Sequence, residues 1–189
     1  MIDLHFVAPG LAVGACFPAE AAQRLAREHG IRRVLDVRGE ACDDAGALGA
    51  CGIQLLHLPT PDTCAVSQER LREGVAFACE GLRRGERVLV HCQYGIGRSA
   101  LVALCVLVAR GVPPLEALAR AKDARPVISP SPEQLEAFAA FAARVRGEAG
   151  AAWPVPTLEA LGAIAWRHLH DGRGAGPAAE AARQASTRA

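Results

Sequence analysis

The stretch VLVHCQYGIGRSALVALCVLV, residues 88–108, constrains the fold of this chain more than any other. Two apolar runs flank a short polar segment, HCQYGIGRS, with Gly95 and Gly97 inside it. The first run is short and rich in valine, as a strand buried on both faces would be; the second is long enough for a buried helix. Cys92 then falls at the carboxyl end of a strand and Arg98 in the first turn of a helix. Open α/β sheets bind their ligands at that point.

Spacing alone does not make Cys92 and Arg98 a pair. The chain has seven cysteines and 21 Lys and Arg residues, all Arg except Lys122, and Cys64 and Arg70 show the same six-residue offset. The residues between that second pair, AVSQE, contain no glycine and lead directly into a helix. The strand, the glycines and the following helix distinguish the Cys92 case.

The surrounding chain alternates helices and strands. PAEAAQRLAREH (18–29) has helical composition and stops at Gly30; IRRVLDV (31–37) reads as a strand. A short helix over 45–50 precedes a strand at 52–58 and the loop PTPDTCAV. Ser67 caps an amphipathic helix with Leu71, Val75, Ala78 and Leu82 on one face, ending at Gly85 and feeding the strand RVLVH, 87–91. Beyond the central loop every element reads as helical: 99–110, 114–123, 131–146 and 156–170. Ser131, Pro132 and Gln134 form a capping box with proline at the first helical position. In the last helix Leu158, Leu161, Ala165 and Leu169 share a face, and a Gly-, Ala- and Arg-rich tail expected to be flexible follows. The pattern predicts an α/β fold, a central mostly parallel sheet flanked by helices, with a domain over 1–147 and an extension over 148–189.

Composition narrows the function classes. The formal net charge of +1 argues against nucleic acid or an anionic membrane as a broad electrostatic partner. MIDLHFVAPG has neither a basic n-region nor a long apolar segment, and the longest apolar run, 100–109, is too short to span a bilayer. Seven cysteines without a CxxC pair suit a reducing compartment, and the expected location is the cytoplasm. The six histidines show no zinc spacing, so neither a metal nor another cofactor is expected. The preference for Arg over Lys reads as a GC-rich bacterial coding bias.

HCQYGIGRS has the means to hold a phosphoryl group. Gly95 and Gly97 let successive backbone N–H groups of Gln93, Tyr94, Gly95, Ile96, Gly97 and Arg98 turn inward as an anion nest, and the helix N-terminus adds its positive end. The same field favours a thiolate on Cys92, a nucleophile. Arg98 grips two phosphoryl oxygens with its planar fork, better than Lys would. Ser99 can donate a proton to the sulfur when a phosphocysteine breaks down, and His91 orients the loop. A leaving alkoxide or phenoxide needs an acid; Asp62, in the loop after strand 52–58, fits best by position, with Asp36, Asp43 and Asp44 as rivals. Tyr94 sits at the rim, either stacking on substrate or facing solvent.

At these residues the chain resembles the cysteine-dependent dual-specificity phosphatases of the protein tyrosine phosphatase superfamily. Their loop is HCxxGxxRS, and His91, Cys92, Gly95, Arg98 and Ser99 match it. APGLAVGA, IRRVLDVRGE, LHLPTPD and RPVISPSPEQL extend the likeness over about residues 5–145. The resemblance implies metal-independent hydrolysis through a phosphocysteine, with Cys92 as nucleophile, Arg98 as phosphate binder and Asp62 as general acid. Many members have Asn where this chain has Ser131, which leaves Ser131 either a cap alone or a support of the loop. The family has no standard counterpart to 148–189.

The short domain implies a shallow site for phosphorylated proteins or small phosphate esters. Gln93, Tyr94, Ile96 and Gly97 carry no positive charge, which ranks phosphoinositides lower; RNA 5′-phosphates are a further alternative. A non-catalytic phospho-binding module and a rhodanese-like sulfurtransferase are the readings from other classes. Cys64 is read as an unreactive loop cysteine in preference to a disulfide partner of oxidised Cys92.

Overall fold

A computed structural model describes residues 2–170 of the 189-residue chain. Five strands, β1 (Leu4–Ala8), β2 (Leu11–Gly14), β3 (Ile31–Arg38), β4 (Gln54–Thr60) and β5 (Arg87–His91), form one sheet in the order β1-β2-β5-β3-β4. β1 and β2 pair antiparallel, and the other three pairings are parallel. This is the expected α/β architecture. RVLVH occupies the middle of the sheet because both of its faces are apolar and buried.

Helices cover both faces. α1 (Ala22–Arg27) and α2 (Ala45–Ala50) pack on one side through Leu25 and Leu48 against Ile31, Val34 and Leu89. On the other side lie α3 (Gln68–Arg83), α4 (Arg98–Ala109), α5 (Pro114–Ala124) and α6 (Pro132–Ala149). α4 is buried from Arg98 to Val108, which explains its nearly unbroken apolar sequence. Side-chain caps start several helices: Asp44 accepts from Ala47 N, Ser67 from Arg70 N, and Ser131 with Gln134 closes the capping box.

Two features depart from the sequence reading. The β1–β2 hairpin, turning at Gly10 with φ +79°, lies in a region where no strand is expected. The single helix expected over 156–170 is two, α7 (Leu158–Ala165) and α8 (Arg167–His170), broken at Trp166. The expected face splits with it: Leu161 and Ala165 are buried, whereas Leu158 and Leu169 are exposed. The break falls at Trp166, whose indole N–H donates to the carbonyl of Pro130 at 3.1 Å. α6 continues through 147 to Ala149 and is capped by Gly150 at φ +62°, and α7 joins the same core as α5 and α6. The tail expected to be flexible begins at residue 171, outside the described residues. Among these, no helix is long and apolar enough to cross a membrane.

Parallel pairing sets the stage for the site. The segments that follow β3, β4 and β5 all leave the sheet at the same edge and carry, in turn, Glu40 with Asp43, then Asp62, then Cys92.

Candidate active site

Residues 92–97 connect β5 to α4, and four consecutive carbonyls of this loop are held from outside. Gln93 O accepts from Cys16 N (3.2 Å), Tyr94 O from Arg125 Nη2 (3.0 Å), Gly95 O from Arg125 Nε (2.9 Å) and Ile96 O from Ser129 N (2.9 Å). No peptide bond here is cis. In a trans peptide the next residue's N–H points opposite the carbonyl, so the N–H groups of Tyr94, Gly95, Ile96 and Gly97 are directed away from these anchors. Donors left unspent by those anchors, ahead of a helix N-terminus, are what the anion nest expected from the glycines requires. Gly95 takes φ +66°, and a Cβ there would lie 2.5 Å from Gly14 O, so the position needs glycine on two counts.

Cys92 is buried at the base of the loop, with Sγ 3.3 Å from Ser99 Oγ. The other cysteines have no such setting. Burial pushes the Cys105 and Cys79 thiols up, and Cys64 is half-buried in the Asp62 loop.

Arg98 is 2% exposed and held by three partners. Its Nη1 and Nη2 donate to the two carboxylate oxygens of Glu40 at 2.7 and 2.8 Å, Nη1 donates also to Thr60 O at 2.9 Å, and Nη2 pairs with Asp62 Oδ1 at 2.9 Å. Burial opposes the charge on Arg98, but hydrogen bonding to Glu40, with Cys92 and Asp62 nearby, outweighs it and holds the guanidinium above its ordinary pKa. Glu40 answers in kind: the Arg98 guanidinium pulls its carboxyl down to about 2.

The acid loop is fixed from the side. Thr63 has φ +63°, unusual for a β-branched residue. Its carbonyl accepts from Ser131 Oγ (3.2 Å) and Gln134 Nε2 (3.3 Å), and Gln134 Nε2 also reaches Cys64 O at 3.0 Å. Ser131 therefore caps α6 and, instead of bonding the Cys92 loop, braces the Asp62 loop. Gln134 also packs on the central loop, since a Cβ on Gly97 would lie 2.5 Å from its Oε1. Asp62 itself is 62% exposed at its side chain, free to turn.

His91 points away from the cleft into a buried charge network. Its Nε2 lies 2.7 Å from Asp43 Oδ2 and its ring 4.9 Å from that of Phe17; Nδ1 is buried without a hydrogen-bond partner. Arg38 joins Asp36 through Nε (3.0 Å) and Nη2 (2.8 Å), and Asp43 through Nη2 (2.6 Å). Of the acid rivals, Asp36 and Asp43 are committed here and Asp44 caps α2. Among the described residues two groupings with metal-ligand chemistry, Asp36–Asp43–His91 and Asp36–Cys42–His57, fall in this network, and the Arg38 guanidinium already pairs with both of their carboxylates.

The structure thus brings Cys92, Arg98 and Asp62 to one cleft of about 610 Å³, with Tyr94, Ile96 and Gly97 in its lining, while Ser99 lies buried behind it in contact with the Cys92 sulfur. Glu40, Arg125, Gln134 and Trp166 were missed from sequence. The run RGE after β3 and the RPVISPSPEQ segment contain the first three, without spacing that marks them.

Comparison with known proteins agrees with the fold. Residues 13–112 match the family model described as a polymorphic toxin system DSP-PTPase phosphatase. The chain is 40% identical over 99 residues to dual specificity protein phosphatase 12 of Rattus norvegicus, covering 51% of this chain and 28% of that protein. It is 30% identical over 129 residues to dual specificity protein phosphatase 22-B of Danio rerio, covering 68% of each. The chain therefore spans less than a third of the length of the first of these relatives. Among solved structures it is similar to PTPMT1 in complex with PI(5)P, with TM-score 0.73, 27% identity and coverage of 77% of this chain and 98% of that one. Tk-PTP in the active form gives TM-score 0.69 and 28% identity, over 75% of this chain and 97% of that one.

Proposed function

The chain belongs to the dual-specificity phosphatase family, and from that premise we propose that it hydrolyses phosphate monoesters, phosphorylated proteins foremost, through a phosphocysteine on Cys92 and without a metal. The observation that supports this best is the joint placement of the Cys92 thiol, the outward-anchored loop carbonyls and the Arg98 guanidinium at one cleft.

The Cys92 thiolate attacks phosphorus, forming the S–P bond as the ester P–O bond breaks. Loop N–H groups and Arg98 hold the non-bridging oxygens, while Asp62, turned from Arg98, gives its proton to the departing oxygen. A water molecule then attacks the phosphocysteine, returning a proton to Asp62; the S–P bond breaks and inorganic phosphate leaves. Ser99 Oγ, 3.3 Å from the sulfur, donates to the departing thiolate. Glu40 and Thr60 O set the pose of Arg98, and Arg125 sets the pose of the loop.

The test is hydrolysis of an aryl phosphate in EDTA over roughly pH 5 to 7.5. Activity that survives EDTA, vanishes in Cys92→Ser and falls steeply in Asp62→Asn supports the mechanism. Vanadate binding by a folded chain without turnover would identify a phospho-capture module instead. Persulfide formation from thiosulfate would point to sulfur transfer.

A further inference from the structure

The cleft beside Cys92 is larger than a phosphoryl group needs, and its walls have a consistent chemistry. Arg98 and Asp62 are the only formally charged side chains among the described lining residues; Tyr94, Ile96, Pro130, Trp166 and Leu169 supply much of the rest. A volume of about 610 Å³ with apolar walls and one polar end suits a ligand that is itself apolar behind a single charged group.

Trp166 is built into the wall. Its indole N–H is spent on Pro130 O at 3.1 Å, and Ser129 Oγ donates to Ala165 O at 3.3 Å, so two bonds tie the end of α7 to the segment that borders the catalytic loop. A Cβ on Gly162 would lie 2.6 Å from Cζ3 of Trp166, which shows the benzo ring seated directly on the α7 backbone. With its N–H satisfied and its ring seated, Trp166 offers the cleft aromatic carbon in a fixed orientation. Residues 158–169 also lie outside the 13–112 segment that the family match covers.

We propose that Trp166, together with Tyr94 and Leu169, forms an aryl-accepting subsite that selects phosphomonoesters whose leaving group is an aromatic ring, the phosphotyrosyl side chain being the protein-borne case. The proposal rests on the phosphatase reading above. A phosphotyrosyl group places a ring between phosphorus and peptide backbone, where it fills the apolar part of the cleft. Phosphoserine, with one methylene there, leaves that part unused. A multiply phosphorylated headgroup would bring further negative charge to a cleft whose one cation is already engaged by Glu40 and Asp62.

The test compares kcat/KM of the full chain on two peptides of identical sequence, one bearing phosphotyrosine and the other phosphoserine. The wild type prefers the phosphotyrosyl peptide. In Trp166→Ala the ratio of the two values falls by about tenfold or more, the range for a lost apolar pocket contact, and Trp166→Phe restores most of it by returning a ring without the N–H bond. An unchanged ratio, an equal loss on both peptides, or wild-type preference for phosphoserine or an inositol phosphate overturns the proposal. Should the wild type turn over neither peptide, the phosphatase reading falls and binding decides the subsite. Phenyl phosphate binding Cys92→Ser more tightly than methyl phosphate, with the difference lost on adding Trp166→Ala, upholds it; equal affinities overturn it.

Discussion

Asp62 Oδ1 lies 2.9 Å from Nη2 of Arg98, so the carboxylate proposed to protonate the leaving group rests on the guanidinium proposed to hold the phosphoryl oxygens. Glu40 and Thr60 O take three Nη hydrogen bonds of Arg98, and Asp62 adds an ion pair on Nη2. An oxyanion can take Nη2 only when Asp62 lets go.

Asp62→Asn should therefore separate binding from turnover. Removing the negative charge weakens the competitor for Arg98, and vanadate or phosphate binds several-fold more tightly. Turnover of an unactivated ester falls by about 10²–10⁴ for want of a proton donor. Calorimetric titration with vanadate and steady-state kinetics read the two effects separately; weaker anion binding in the variant would contradict the competition.

Glu40→Gln should lower kcat/KM by about tenfold, because the fork that fixes Arg98 loses its charge. The pH dependence follows from the depressed Glu40 carboxyl. Its stabilising contribution is full above the unfolded value of 4.5 and declines as pH falls toward the folded value of about 2. Acid titration of stability should thus be shallower in Glu40→Gln over that window. The carboxyl is 41% exposed, and solvent screening keeps the effect small.

Arg125→Met removes the donors to Tyr94 O and Gly95 O and the ion pair to Asp3. Leaving buried carbonyls unsatisfied costs about 2–4 kcal/mol in urea unfolding. Below the midpoint, the folded variant should bind phosphate poorly, because the loop N–H groups lose their alignment. Asp3, whose carboxyl Arg125 holds below its usual value, should titrate closer to normal.

Gly95→Ala should lose more function than stability. The methyl meets Gly14 O at 2.5 Å and the residue keeps a positive φ, a combined strain of about 1–3 kcal/mol that the loop relieves by moving. Near-wild-type thermal unfolding with abolished vanadate binding is the expected pair of results.

The elements with one strong periodicity were legible from sequence: β5, α3 and α6 lie where valines, an amphipathic stripe and a capping box put them. The placement of Cys92, Arg98 and Ser99 was legible for the same reason, since strand, glycines and helix are contiguous. β1 and β2 escaped notice because each is short and gains its partners from elsewhere, β2 lying between β1 and β5. Glu40, Arg125 and Gln134 meet the loop only through tertiary contacts, Arg125 spanning 122 residues to Asp3, and no local pattern records such a meeting. Trp166 read as part of one long helix because its neighbours suit helix; its bond to Pro130 O is a tertiary contact that no local pattern records.

The anchoring of the catalytic loop by later residues also orders events during synthesis. Cys92 leaves the ribosome before Arg125 and Gln134, which hold the loop carbonyls and the Asp62 loop in place. At about 5–20 residues per second, the 42 residues from Cys92 to Gln134 take about 2 to 8 seconds to be made. During that interval the nascent chain carries Cys92 without the partners that hold its loop, and a product cut short there lacks them permanently.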